Sequence, residues 1–138
     1  MSIAVLGGTG PQGRGLALRW AVAGEQIVIG SRDPQRAAGV ASELGHGITG
    51  TGNFEAAQGA DVVLVAVPYE GHAALITEIA PAVEAKILID CVNPLGFDKQ
   101  GAFALTVPEG SAAQQAAALA PQARVVAAFH HISAVLLQ

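Results

Sequence analysis

Short runs of β-branched and aliphatic residues alternate with longer, Ala-rich stretches along most of the chain. Ile3 to Leu6 predicts a first strand, stopped by Gly7 and Gly8. Gln12 to Ala23 reads as a helix: Leu16 and Trp20 share one face, Leu18 and Val22 a neighbouring one, and Gly24 suits the C-terminal cap. Ile27 to Ile29 predicts a second strand. Asp33 then stands at an N-cap position with Pro34 at the first helical position, opening a helix that runs to about Leu44. Gly47 to Thr51 predicts a weak third strand, and Asn53 to Gln58 one or two helical turns. Val62 to Val67 is the strongest strand, closed by Pro68. A helix follows from about Gly71 to Ile79, and a strand from Ile87 to Ile89. Ser111 and Gln114 have capping-box spacing ahead of a helix over Ala112 to Leu119, and Val125 to Phe129 predicts the sixth strand. Asn93 to Gly110 carries little pattern, and a connection of that length is more often functional than accidental.

Strands alternating with helices argue for an α/β fold in which a parallel sheet is covered on both faces. Six strands in this rhythm fit the doubly wound Rossmann order 3-2-1-4-5-6, and no linker or repeat divides residues 1–138. The apolar share of 51 % against 13 % charged residues agrees with strands buried on both faces. The net charge of −4 argues against nucleic acid as the main partner, because phosphate backbones demand a basic face. No apolar run approaches a membrane span, and no basic amphipathic stretch suggests a membrane surface. With one cysteine, Cys91, no internal disulfide forms; with a strand opening at Ile3 and no basic leader, cytoplasm is the expectation.

The chemistry begins at Gly8-Thr9-Gly10-Pro11-Gln12-Gly13, a G-x-G-x-x-G string that follows a strand and opens a helix. Gly8 permits the tight turn, Gly10 lets the backbone approach a pyrophosphate, and Gly13 lets helix and strand pack closely. Unpaired N–H groups at the helix start face the anion. The loop also reads Gly7-x-x-Gly10-x-x-Gly13, the spacing of short-chain dehydrogenases. Their Tyr-x-x-x-Lys pair is missing: the only tyrosine is Tyr69, and Ala73 stands where the lysine belongs.

The second strand ends Gly30-Ser31-Arg32, where a domain preferring NAD carries a carboxylate. A hydroxyl and a guanidinium there suit a 2′-phosphate, with Arg36 one turn further on. The bland alternative is that both arginines are solvated surface charges. Asp33 is read as the helix cap rather than as a displaced NAD carboxylate. At the carboxyl ends of the later strands lie Ala66-Val67-Pro68, Cys91-Val92-Asn93-Pro94 and His130-His131-Ile132. Val67 and Pro68 are placed against the nicotinamide ribose, although Pro68 equally well just ends a strand. His130 is read toward the ligand cleft and His131 as cleft or plain loop. Cys91 reads as a small buried residue rather than a nucleophile, since no base partners it. No nucleophile triad, paired acid and base, or metal-ligand spacing emerges, so no catalytic side chain and no metal is assigned. Hydride transfer between two bound redox cofactors needs little side-chain chemistry.

The segments Gly7–Gly13, Gly30-Ser31-Arg32-Asp33-Pro34, Val67-Pro68-Tyr69-Glu70-Gly71-His72, Asn93-Pro94-Leu95-Gly96 and Phe129-His130-His131-Ile132 together resemble the NADPH-dependent reductases of the deazaflavin coenzyme F420. The resemblance spans nearly the whole chain. It implies that Thr9, Gln12, Ser31, Arg32 and Arg36 contact NADP. It also implies that Asn93, Pro94, Leu95, His130 and Ile132 lie against the deazaflavin ring, with a hydride moving between C4 of nicotinamide and C5 of the deazaflavin. Members of that family continue into a mainly helical C-terminal part that helps cover the deazaflavin and build a dimer. The expectation is therefore an NADP-binding domain without that part, acting as an oxidoreductase on small-molecule cofactors and pairing as a homodimer. Two other readings stay open: a non-catalytic NADP-binding module or redox sensor, and a similar Rossmann-type enzyme acting on an imine or a metal chelate.

Overall fold

The computed structural model describes residues 1–138. Strand β1 (Ser2–Leu6), helix α1 (Pro11–Val22), β2 (Gln26–Ser31), α2 (Pro34–Leu44), β3 (Thr49–Gly52), α3 (Asn53–Gly59) and β4 (Val62–Val65) form the first half. A 3₁₀ turn at Tyr69–Gly71 leads into α4 (His72–Ile79), and β5 (Ile87–Asp90) follows. Then come β6 (Leu95–Asp98), β7 (Gly101–Ala104), α5 (Ala112–Leu119), β8 (Arg124–Ala127) and the short α6 (Ala134–Leu137). Six strands form one parallel sheet in the order β3-β2-β1-β4-β5-β8, the expected doubly wound arrangement.

The interior strands β1 and β4 read as unbroken apolar runs because they present buried residues to both faces. Ala4 and Leu6 of β1, with Val63 and Val65 of β4, join a core built on α3, α4 and α5. Ile3 and Val5, with Val62 and Leu64, join a second core against α1 and α2. Alternation thus exists, but both sides of it are hydrophobic.

Differences from the sequence reading lie at ends and in one loop. The fourth strand stops at Val65, short of Val67, and the last covers Arg124–Ala127 rather than Val125–Phe129. Helix α1 begins at Pro11, whose missing N–H costs nothing at the first turn. The stretch after Asn93 is not patternless: β6 and β7 pair antiparallel as a hairpin, with Leu95 opposite Ala104 and Asp98 opposite Gly101. No helix is long and apolar enough to cross a membrane.

Candidate functional site

The loop between β1 and α1 is dictated by its glycines, with the roles partly redistributed. The left-handed residue is Gly7 (φ +75°), not Gly8, and a Cβ there would fall 2.5 Å from the Ala66 carbonyl oxygen. Gly8 is needed for space, since a Cβ would meet Val5 O at 2.8 Å and the Ile29 side chain at 2.9 Å. Gly13 sits on the loop itself: its Cβ would be 2.6 Å from the Gly8 Cα. Gly10, the N-cap of α1, has open space where a side chain would stand, with only Gly7 O at 3.6 Å. A ligand can therefore come against the backbone at the positive end of a twelve-residue helix.

Thr9 and Gly10 line a cleft of about 680 Å³ together with Ser31, Arg32, Arg36, Ala66, Val67 and Pro68. Asn53 and the α4 residues Ala74, Leu75 and Glu78 complete its walls. Gly8, Pro11, Gln12 and Gly13 shape the loop without lining the cleft. Asp33 Oδ1 accepts from the Gln35 and Arg36 N–H groups at 3.0 and 3.2 Å, so this carboxylate is committed to capping α2. Ser31 Oγ in turn accepts from the Asp33 N–H at 3.1 Å. Arg32 and Arg36 are exposed, and the ion pairs of the chain lie elsewhere, at Met1–Glu25, Arg14–Glu43 and His72–Asp90. Two guanidinium groups outside any ion pair border the cleft, whose lining also carries the Glu70 and Glu78 carboxylates.

Asn93, Pro94, Leu95, His130 and Ile132 lie outside that cleft's lining. Asn93 Nδ2 donates to the His130 carbonyl at 3.0 Å, joining the two segments. Gln12 Nε2 donates to the Phe129 carbonyl at 3.3 Å, so this side chain ties the glycine-loop helix to the segment after β8. Phe129 adopts φ +67° and packs edge-on against Trp20, ring centroids 5.6 Å apart. Leu95 and Ile132 stand exposed, as do Phe97 and Phe103 of the hairpin.

Sequence reasoning missed a polar network under this site. His72 and Asp90 are both wholly buried, and His72 Nε2 meets Asp90 Oδ2 at 2.5 Å. His72 Nδ1 meets Gln115 Oε1 at 2.8 Å. The neighbouring Glu109 carboxylate fixes the Gln115 amide with its NH₂ outward, 3.3 Å from Glu109 Oε2 and 3.4 Å from Tyr69 Oη. Both ring nitrogens of His72 therefore donate, which makes it an imidazolium. Burial pulls its pKa down, but the Asp90 and Gln115 hydrogen bonds and the Asp90 charge outweigh it and hold the pKa above 6.5. Asp90 Oδ1 also accepts from the Val92 N–H at 2.9 Å and so shapes the turn that carries Asn93. No motif joins His72 to Asp90, because the pair forms only when α4 packs on β5. Cys91 is buried, donates to the Val65 carbonyl at 3.2 Å, and has its pKa pushed up to about 11 by burial and the Asp90 charge. It is a core residue, not a nucleophile.

Known proteins match this arrangement over nearly the whole chain. The family model for the coenzyme F420-dependent NADP oxidoreductases matches residues 2–94. An F420-dependent NADP reductase from Methanothermobacter thermautotrophicus is 42 % identical over 99 % of this chain and 64 % of its own length. One of the same name from Methanocaldococcus jannaschii is 34 % identical over 100 % of this chain and 66 % of its own. A solved structure from Arthrobacter sp. FB24, assigned provisionally as an F420-dependent NADP-reductase, superposes with a TM-score of 0.85. It is 30 % identical and is matched over 97 % of this chain and 64 % of its own. The chain thus spans about two thirds of the length of these relatives.

Proposed function

The chain belongs to the family of coenzyme F420-dependent NADP oxidoreductases, and on that premise we propose that the protein transfers a hydride between NADP(H) and the deazaflavin coenzyme F420. The observation that carries this reading is the cleft itself. The open backbone at Gly10 offers one anion cradle in it, and Ser31 with Arg32 and Arg36, which form no ion pair, offers a second. A dinucleotide bearing a 2′-phosphate presents anions at both positions. The Gly8–Gly13 loop, with Thr9 and Gln12, takes the pyrophosphate side in this reading, and Ala66, Val67 and Pro68 the nicotinamide ribose. Asn93, Pro94, Leu95, His130 and Ile132 take the deazaflavin, for which the exposed Leu95 and Ile132 offer an apolar face.

When bound, the two rings supply all of the redox chemistry. The work left to the chain is binding and orientation, done by the glycine-loop backbone, the two arginines and the Ala66–Pro68 wall. Mixing the protein with NADPH and oxidised F420 tests the reading: the visible absorbance of the deazaflavin should fall as it is reduced. Unchanged absorbance from a protein that binds NADP normally would replace the enzyme with a non-catalytic NADP-binding module. A cytoplasmic homodimer belongs to the same reading, and light scattering of the purified protein tests the dimer.

A further inference from the structure

Asp90 closes β5 and holds three partners at once. Its Oδ2 meets the His72 ring, its Oδ1 accepts from the Val92 N–H, and its main-chain oxygen accepts from the Ala128 N–H at 3.1 Å. These bonds run to both sides of the site. His72 opens α4, and Ala74 and Leu75 of that helix wall the cleft read above for NADP. Val92 leads to Asn93, whose amide holds the His130 carbonyl, and Ala128 leads into Phe129–Ile132. Those two segments carry the residues read above for the deazaflavin. Neither His72 nor Asp90 is open to a ligand, since both are 0 % exposed and outside the cleft lining. The fold does not call for the pair either: a buried ion pair is seldom more stabilising than apolar side chains of the same size.

We propose that His72 and Asp90 are positioning residues for the hydride transfer, setting the Asn93 and His130 segments at a fixed place relative to the α4 wall of the NADP cleft. The inference rests on the NADP and F420 reading above and adds to it what holds the supports of the two rings together. The transfer needs donor and acceptor carbons in contact, and a misplacement of about 1 Å is enough to cost about a hundredfold in rate. A single side chain that bonds one wall through Oδ2 and the other through Oδ1 removes that freedom. The charged and titratable groups facing His72 are Asp90 from β5, Glu109 ahead of α5 and Tyr69 ahead of α4, beside the neutral Gln115 of α5. No cation is among them, so nothing competes with the imidazolium for Asp90.

The test is the rate of F420 reduction by NADPH per NADP site, with sites and affinity counted by calorimetry. Asp90→Ala should lower kcat per site about ten- to a hundredfold and leave the NADP dissociation constant nearly unchanged. A merely structural pair would lower the number of sites through unfolding and leave kcat per site alone. Asp90→Asn adds a pH profile that a structural role does not move. Its oxygen can keep Val92 while its NH₂ donates to a neutral His72, whose one N–H stays on Gln115. The rate deficit of Asp90→Asn against wild type should therefore be large at about pH 6 and vanish toward about pH 9. Should Asp90→Ala fold poorly, that profile decides. A kcat per site equal to wild type in Asp90→Ala, or a deficit in Asp90→Asn that ignores pH, overturns the positioning role and leaves the hydride reading standing. NADP affinity that falls in step with kcat overturns it too, since the pair would then serve the NADP wall alone. A wild-type chain that binds NADP but leaves F420 oxidised overturns the hydride reading and this proposal with it.

Discussion

The buried His72–Asp90 pair makes a stability forecast whose size depends on pH. Asp90→Ala removes an acceptor from two partners at once, the His72 ring and the Val92 N–H. Neither site is open to water, since His72 and Asp90 are both 0 % exposed. Removing one member of such a pair costs about 3–5 kcal/mol, a large share of the ~5–15 kcal/mol that holds a domain folded. Asp90→Asn is the sharper probe. Its oxygen can still accept from Val92, and its NH₂ can donate to a neutral His72, so the geometry survives and only the charge is lost. The folded pKa of His72 lies above its unfolded value of about 6.5. The charged pair therefore contributes its full stability below about pH 6.5, and that contribution fades as pH rises through the folded pKa. A neutral amide in place of the carboxylate cannot support the imidazolium, so the cost of Asp90→Asn should be greatest near pH 6 and shrink toward pH 9. Urea unfolding followed by circular dichroism across that range measures it. Asp61, whose pKa is lowered by its hydrogen bonds to Ser2, alters stability only on the acid side and does not intrude. A cost that is flat, or that grows with pH, would refute the imidazolium assignment.

Three further outcomes follow from the site. Arg32→Ala should weaken NADP by about 1.5–3 kcal/mol, toward the lower figure because the side chain is exposed, and leave NAD nearly untouched; equal losses measured by calorimetry would remove Arg32 from the 2′-phosphate. Gly13→Ala drives a methyl into the Gly8 backbone and should abolish dinucleotide binding while costing about 1–3 kcal/mol in thermal unfolding. Cys91 should resist iodoacetamide in the folded protein at pH 8, as followed by mass spectrometry, and react only on unfolding, because burial holds its pKa at about 11.

What was legible in the sequence was what is encoded locally. The Asp33 cap, Pro34 behind it and the glycine loop are short-range statements in which residue type and spacing suffice. The strand order followed from the βα rhythm, because the crossover rule leaves few topologies. The hairpin Leu95–Ala104 stayed hidden for a physical reason. Periodicity reveals a strand only when one face is buried, and β7 is exposed along its whole length. Its one strong cue is a pair: Phe103 lies over Gly96, which a Cβ would bring within 2.5 Å of the ring. The His72–Asp90–Gln115 network and the orphaned Asn53 oxygen were illegible for another reason. Each is made by packing elements far apart in sequence, and residue type alone does not distinguish a buried polar group from an exposed one.

The two sides of the site differ in how firmly they are held, and this sets the order in which they should respond to ligand. The side proposed for NADP rests on β1, β2 and β4, interior strands whose Val5, Leu6, Ile29 and Leu64 are wholly buried. The side proposed for the deazaflavin comprises the hairpin, the edge strand β8 and the segment leading to α6, where Phe97 is 76 % and Val135 81 % exposed. Opening free energy follows buried contact, so amides of the interior strands should exchange only through global unfolding. Those of the hairpin and of residues 130–137 should exchange orders of magnitude faster, through local opening. Between the two lies Gln12, whose bond to the Phe129 carbonyl ties the glycine loop to the looser side, while further along α1 Trp20 packs on Phe129 and Arg19 donates to the Leu136 and Leu137 carbonyls. NADP bound at the loop should therefore slow exchange around Phe129 as well as at the cleft, and Gln12→Ala should cancel that second effect while keeping the first. Hydrogen exchange read by mass spectrometry, with and without NADP, measures both. Equal protection of the hairpin and the interior strands would refute the gradient, and protection at Phe129 that survives Gln12→Ala would show that the Gln12 bond does not carry the coupling.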